Sequence, residues 1–337
     1  MRALVIDQAG PRLERDRADP VGPTGQAVVR VLCSGLGGLD LAAVAGRIDH
    51  AGVLGHEIVG RVESSPKPAQ IGAVVAVAPE VACGACDMCR AGMAPHCRTI
   101  RVLGFGGTDG GLADRVAVPA RNLHVLPAGV GPESAVLAQP VADAVHVARL
   151  VPIERQTYVT VLGDGLNALL VAQILARRNA SVRLLGGRPE RFGLCERWRV
   201  RHRNVHEAGL REDQDVVVAC FEPDGAMVDE SLQAADLTRI ALGMLRPRGT
   251  LVVAGPPVPV QGVGLDFTAG AEAIVARELR VVGARRGLMA DGLAAIAAGD
   301  VDLDPLITAR ADLADGVSAL RAAASPEQLR TIIRVAA

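Results

Sequence analysis

Up to about Gly131 the apolar positions recur at every second residue, in short runs broken by glycine and proline. MRALVID (1–7), QAVVRVLC (26–33), HEIVGRVES (56–64), AVVAVAPE (73–80) and DRVAVP (114–119) read as β-strands. Alternation at period two puts one set of side chains on a buried face. Short strands with turn residues between them predict a small β-barrel with irregular excursions. Past Gly131 the period changes. PESAVLAQPVADAVHVARLV (132–151) has helical spacing and leads into QTYVTVLGDG (156–165), a β-branched strand ending in glycines. ALLVAQILARRN (168–179) predicts a helix and SVRLLGG (181–187) a second strand. The alternation continues through DVVVACFEP (215–223), TRIALGMLRPRG (238–249), TLVVAGPP (250–257) and LRVVGARRG (279–287). Strands alternating with helices imply a parallel sheet covered on both faces. From about Gly287 the tail predicts two helices, MADGLAAIAAG (289–299) and DLADGVSALRAAA (312–324), and a closing strand, LRTIIRVA (329–336). The expected class is α/β, a β-barrel domain joined to a doubly wound parallel sheet.

The length of 337 residues suits about two domains. Half the residues are hydrophobic but only 2% are aromatic, so the core must be built from Val, Leu, Ile and Ala. Lys plus Arg number 36 against 37 Asp plus Glu, a balance that points to no nucleic-acid or membrane partner. MRALVIDQAG enters a strand pattern with no leader, so a cytoplasmic protein acting on a small molecule is expected.

Candidate chemistry concentrates in two motifs. Cys83, Cys86, Cys89 and Cys97, in CGACDMCRAGMAPHC, have zinc-ligand spacing. Four thiolates close a tetrahedral shell, so this zinc would be structural; buried or disulfide-bonded cysteines are the alternative. Gly163, Gly165 and Ala168 form G-x-G-x-x-A between a strand and a helix, the context of a dinucleotide-binding turn. Gly163 permits the turn. Gly165 lets a pyrophosphate approach the helix N-terminus, and Ala168 allows close packing. The next strand ends in Gly186, Gly187 and Arg188, where an NAD site usually has an acid. Arg188 suits a 2′-phosphate, which favours NADP(H) over NAD(H); a solvated loop arginine is the alternative.

Taken with GHEIVGRV (55–62), RPRGTLVVAG (246–255) and LRTII (329–333), these motifs resemble the zinc-containing medium-chain alcohol dehydrogenases over almost the full length. The resemblance implies a GroES-like catalytic domain from 1–146 and 287–337 around a Rossmann domain at 147–286. It implies an NAD(P)-dependent oxidoreductase, a homodimer or homotetramer. GGRP at 186–189 looks like the G-S-R-P segment of NADP-dependent members. Arg330 would contact the cofactor pyrophosphate, and Ala254, Gly255 and Pro256 would face the nicotinamide amide.

The catalytic zinc site departs from the family. Where G-I-C-G-[ST]-D is usual, the chain reads Gly35-Leu36-Gly37-Gly38-Leu39-Asp40. Gly37 replaces a ligand cysteine and Leu39 a relay hydroxyl. Gln139 in Ala138-Gln139-Pro140 replaces a ligand glutamate. His56 and Glu57 remain, with Asp40 matching a carboxylate that orients the ligand histidine. The nearby Cys33 reads as a buried strand cysteine, with a rearranged site of Cys33, His56 and Glu57 as the alternative. His146 and Asp143 read as solvated or packed rather than metal-bound. In the loop near the cofactor, Cys220-Phe221-Glu222-Pro223 replaces A-T-G, adding bulk and negative charge that would narrow the cleft or weaken binding. The pattern implies an NADP(H)-dependent oxidoreductase without catalytic zinc, acting on an activated carbonyl or imine and using His56 or Glu57 for the proton. An ordinary zinc dehydrogenase with a rearranged ligand set and a non-catalytic NADPH-binding paralogue stand as alternatives.

Overall fold

The computed structural model describes residues 1–22, 25–178, 181–222, 232, 234–256, 258–261 and 264–335. The chain forms two compact units, one of residues 1–139 and 303–337, the other of 140–302. These boundaries differ from those expected. The helix Met289–Ala297 belongs to the second unit, held by Arg149 to Asp291 at 2.5 Å, and the chain stays there through Asp302, whose N–H donates to Gln173 at 2.8 Å.

In the first unit, alternating strands close a seven-stranded sheet in the order Leu123–Val125, Val74–Val77, Glu57–Ser64, Gln26–Leu36, Arg330–Arg334 and Ile307–Asp312, with Arg115–Pro119 also on Gln26–Leu36. Gln26–Leu36 buries every second residue in its first half, the pattern of a strand with one core face. Arg330–Arg334 pairs antiparallel with it, Thr331 opposite Leu36 and Ile333 opposite Ser34. On the other side Gly35 lies opposite Glu57. That register decides the candidate site. Gly35, Gly37, Glu57 and Arg330 come together although they are distant in sequence. A short ladder of Glu80–Val81 with Arg101–Val102 brackets the cysteine lobe.

The second unit is a six-stranded parallel sheet ordered Arg201–Asn204, Ser181–Gly186, Tyr158–Leu162, Gln214–Cys220, Leu245–Ala254, Arg280–Ala284. In chain order this is 3-2-1-4-5-6, the doubly wound arrangement whose ligand crevice lies beyond the carboxyl ends of the strands. Apolar strand residues such as Val159, Val161, Leu184 and Val217 are buried, as a sheet covered on both faces demands. Among the described residues no helix is long and apolar enough to cross a membrane.

Candidate functional site

The cysteine lobe hangs from the first unit. Its four Sγ atoms all lie within 4.8 Å of one another. Cys83 to Cys89 is 4.0 Å and Cys86 to Cys97 is 3.9 Å, close to the ~3.8 Å edge of a tetrahedron with ~2.3 Å zinc–sulfur bonds. The N–H groups of Ala85 and Cys86 donate to Cys83 Sγ at 3.4 and 3.3 Å and hold its thiol below the usual range. The donor set therefore fits zinc, and its four thiolates leave no open position. All four cysteines are free thiols, so the disulfide alternative finds no support here.

The second constellation of this unit does not fit a metal. His56 and Glu57 are buried, with His56 Nε2 3.8 Å from Glu57 Oε1 and the His56 ring tilted 5.3 Å from Phe105. Into this centre comes Arg330, whose Nη2 lies 3.0 Å from Glu57 Oε1. The antiparallel register that sets Thr331 opposite Leu36 carries Arg330 to Gly37. A Cβ on Gly37 would overlap Arg330 Nη1 and stand 2.5 Å from its Cζ. The guanidinium thus fills the space that a ligand cysteine at this position would take. Arg330, expected at a pyrophosphate, has a side chain that is 8% exposed and is paired here with a carboxylate that is 2% exposed. A buried carboxylate needs a partner, and the void left by glycine lets the arginine supply one.

Asp40 is fully buried. Its carboxylate accepts from the backbone N–H of Gly37 at 3.1 Å and of Gly55 at 3.0 Å, fixing the two turns that carry the centre. Burial pushes it up to about 6, opposed by those hydrogen bonds and by Arg330. Cys33 sits buried in its strand between Val59 and Arg334, and burial pushes its thiol up to about 12. Among the described residues, the only group of three or more His, Cys, Asp or Glu close enough to hold a metal is the four-cysteine lobe. Gln139 is buried at the start of the helix Ala138–Leu150. In the second unit Asp143 accepts from Arg286 Nη1 at 2.5 Å and from the N–H of Gly287 at 2.8 Å, which occupies it structurally.

The dinucleotide turn lies wholly in the second unit. Gly163 has φ +129°, and a Cβ there would approach the Cys220 carbonyl to 2.9 Å, so the turn requires glycine. Gly165 caps the helix Leu166–Arg177, and Ala168 is fully buried behind it. The scaffold is the one a pyrophosphate needs. Its anion position, however, is held from within. Glu222 Oε1 accepts from the N–H of Asn167 at 3.0 Å and Oε2 from Asn167 Nδ2 at 3.2 Å. The Glu222 side chain packs on Gly165 so closely that a Cβ there would overlap its Cγ, Cδ and Oε1. A carboxylate so placed takes up the Asn167 N–H at the helix N-terminus, where an incoming anion would also bind. Pro223, grouped with Glu222 in the sequence reading, lies outside the described residues.

Arg188 is turned inward. Its Nε donates to Asp164 Oδ1 at 2.8 Å and its Nη2 to the same oxygen, while the N–H groups of Gly187 and Arg188 donate to Oδ2 at 2.7 and 2.9 Å. Arg191 Nη1 adds a bond to the Asp164 carbonyl at 2.8 Å. A Cβ on Gly186 would come within 2.6 Å of Asp164 Oδ2. Gly186, Gly187 and Arg188 therefore wrap Asp164, the fully buried acid between the two turn glycines, and the fork expected to hold a 2′-phosphate is engaged on that acid. Asp164, Asn167 and Arg191 carry this arrangement and were not anticipated. The available signal was an acid inside G-x-G facing an arginine after the next strand.

Residues 23–128 match the alcohol dehydrogenase GroES-like domain. L-galactonate-5-dehydrogenase of Escherichia coli K12 is 32% identical over 198 residues, 57% of this chain and 57% of that protein. The match thus spans little more than half of that relative. A Sinorhizobium meliloti 1021 structure bound to NADP shares the fold with TM-score 0.84 at 24% identity, covering 99% of this chain and 98% of that one. A structure from E. coli CFT073 complexed with NADH, described as a short chain alcohol dehydrogenase (rspB), has TM-score 0.83 at 22% identity and 99% coverage of both. Residues 23–128 thus carry an alcohol dehydrogenase GroES-like domain, and the chain shares the fold of these dehydrogenase structures.

Proposed function

We propose that the chain is an NADP(H)-dependent oxidoreductase that works without a catalytic zinc, on a carbonyl or imine activated by conjugation. The observation that carries the reading is Arg330 in the space beside Gly37, 3.0 Å from Glu57. Its planar guanidinium, shared with Glu57, puts hydrogen-bond donors and a cation where the resemblance would place a metal. Bound dinucleotide supplies the hydride. The residues of the chain supply the rest. Arg330 stabilises negative charge growing on the substrate oxygen or nitrogen as hydride adds to carbon. His56, beside Glu57, delivers the proton that completes the reduction. A fixed cation polarises less strongly than zinc, which is why an already activated acceptor is favoured over a simple secondary alcohol. The four-cysteine lobe holds one structural zinc in this reading. NADP bound in one structural neighbour supports the cofactor class, and NADH in another leaves the preference to experiment.

A specific observation favours a second reading, a family member without turnover: Glu222 occupies the anion position of the turn. Metal analysis and a single-turnover assay separate the possibilities. The proposed function expects about one zinc per chain and oxidation of bound NADPH by enals or enones, lost in Arg330→Met. Bound NADPH that no acceptor oxidises supports the second reading. Two zincs per chain with brisk oxidation of secondary alcohols would refute the zinc-free mechanism.

A further inference from the structure

A groove of about 620 Å³ opens on the second unit and is lined by Arg183, Arg199, Arg201, His202, Arg203 and Arg211. Its size falls in the usual range for a small-molecule site, roughly 300–1,000 Å³. The arginines are brought together by sheet register. Ser181–Gly186 and the edge strand Arg201–Asn204 run parallel, with Arg183 opposite Arg201 and Leu185 opposite Arg203. Two guanidinium side chains on directly opposed positions repel unless something neutralises them. The lining offers only two acids, Glu196 and Asp213. Glu196 lies 3.4 Å from His202, and Asp213 accepts from the Gln214 amide at 2.6 Å. Among the described residues, Arg199, Arg201, Arg203 and Arg211 have no carboxylate within ion-pair distance.

Arg183 shows the effect of this uncompensated charge. It is half-buried, and burial lowers its affinity for a proton, with Arg203, Arg201 and Arg211 adding to the fall against Asp213. Its Nη2 donates to Thr160 Oγ1 at 3.1 Å, but its Nε is buried without a partner. A buried unmatched donor inside an arginine cluster is costly and marks a place for an acceptor. Arg199 adds a second irregularity, a φ of +58° at the end of the helix Phe192–Arg197, where glycine is the usual residue. The groove lies toward the amino ends of its strands, whereas the dinucleotide turn lies at their carboxyl ends. It is a separate place on the sheet.

We propose that this groove is a binding site for a compact oligophosphate anion. Planar guanidiniums recognise phosphate oxygens in pairs, and several converge here from two strands and the segments that flank them. The lining has no aromatic surface apart from His202, which stacks on Phe192, so the phosphates and not a base carry recognition.

Titration of the whole protein with tripolyphosphate, followed by calorimetry in about 100 mM salt, tests the site. Saturable binding is expected, tighter than that of inorganic phosphate or sulfate at matched ionic strength. Arg201→Ser with Arg211→Ser should weaken it about ten-fold or more, since each contact to a charged group contributes measurably. The unliganded melting temperature of that variant should be nearly unchanged, because both residues are exposed. Arg199→Ser with Arg203→Ser should act in the same direction, while Arg188→Ala leaves oligophosphate binding intact. Three outcomes overturn the proposal: undiminished binding in both double variants, no advantage of tripolyphosphate over sulfate, or tighter binding of single-stranded RNA or of phosphoinositide vesicles than of tripolyphosphate.

Discussion

The cysteine lobe and the His56 centre belong to one unit and are the two places where the resemblance to zinc-containing dehydrogenases leads one to look for a metal, yet they are built in opposite ways. In the lobe four sulfur atoms converge, all within 4.8 Å of one another. In the His56 centre the space is filled by Arg330, which also neutralises Glu57. A donor set makes a metal site only when it surrounds room for the ion. Glycine at position 37 does more than leave out a donor. It leaves room that a long cationic side chain from the neighbouring strand fills. The dinucleotide turn follows the same rule with the opposite sign. There an anion position is filled by Glu222 from within the chain. The lobe's donor set calls for an ion from outside; the other two positions carry their own charge.

The sharpest way to break the comparison is to damage the lobe. Apparent zinc-binding free energies in structural sites are of order 10–16 kcal/mol and are coupled to folding. Cys86→Ser should lower metal content and reduce the melting temperature by on the order of 10 °C. A variant with unchanged metal and unchanged melting would show that the lobe holds no zinc. The His56 centre should respond differently. Arg330→Met leaves Glu57 charged and buried, a loss of about 3–5 kcal/mol, with zinc content unaltered. Adding Glu57→Gln should recover much of that stability, because the uncompensated charge is gone. Gly37→Cys with Gln139→Glu should fail to recruit a second metal unless Arg330 is also shortened, since its guanidinium stands in the way.

At the turn, Arg188→Ala sharpens the difference between cofactor and structural roles. Asp164 is fully buried and accepts from Arg188, Arg191 and two backbone N–H groups. Losing the Arg188 fork should cost about 1.5–3 kcal/mol of stability, read by denaturant unfolding. A large fall in NADPH affinity with no loss of stability would instead place the guanidinium on the 2′-phosphate.

Much of this architecture was legible in the sequence because it follows from local periods. Period two gave the strands of the first unit, and strand–helix alternation gave the parallel sheet. The lobe and the glycine turn were readable from spacing, since Cys83 to Cys97 and Gly163 to Ala168 each lie within one short segment. The loss at Gly37 was visible too. What filled it was not, because Arg330 is far along the chain and reaches Gly37 only through the register of Thr331 with Leu36. The charge of Glu222 is visible in the sequence, but its seat against Gly165 depends on two strands of the sheet meeting their helix. Asp164 stands between two glycines with no local pattern to mark its role, and Arg183 meets Arg201 only across a strand pair. Arg330, Glu222, Asp164 and the Arg183–Arg201 pair are charged residues whose partners are set by tertiary packing, which periodicity does not encode.

The smallest expected effect is the most informative about the turn. Glu222→Gln keeps the side-chain length and an amide oxygen able to accept from the N–H of Asn167. It removes the full charge that the helix N-terminus stabilises, an interaction of roughly 0.3–1 kcal/mol at exposed ends and up to ~2 kcal/mol when partly buried. It also removes repulsion between Glu222 and an incoming diphosphate at the same place. The two effects have one sign: the internal ligand is held less firmly, and the external anion meets less opposition. NADPH should therefore bind about ten-fold more tightly, equivalent to ~1.4 kcal/mol, while the folded state loses a few tenths to about 1 kcal/mol. Fluorescence titration of NADPH against both proteins reads the first change and denaturant unfolding the second. If affinity stays the same or falls while the helix end is weakened, Glu222 does not compete for the pyrophosphate position, and the parallel between the turn and the His56 centre fails.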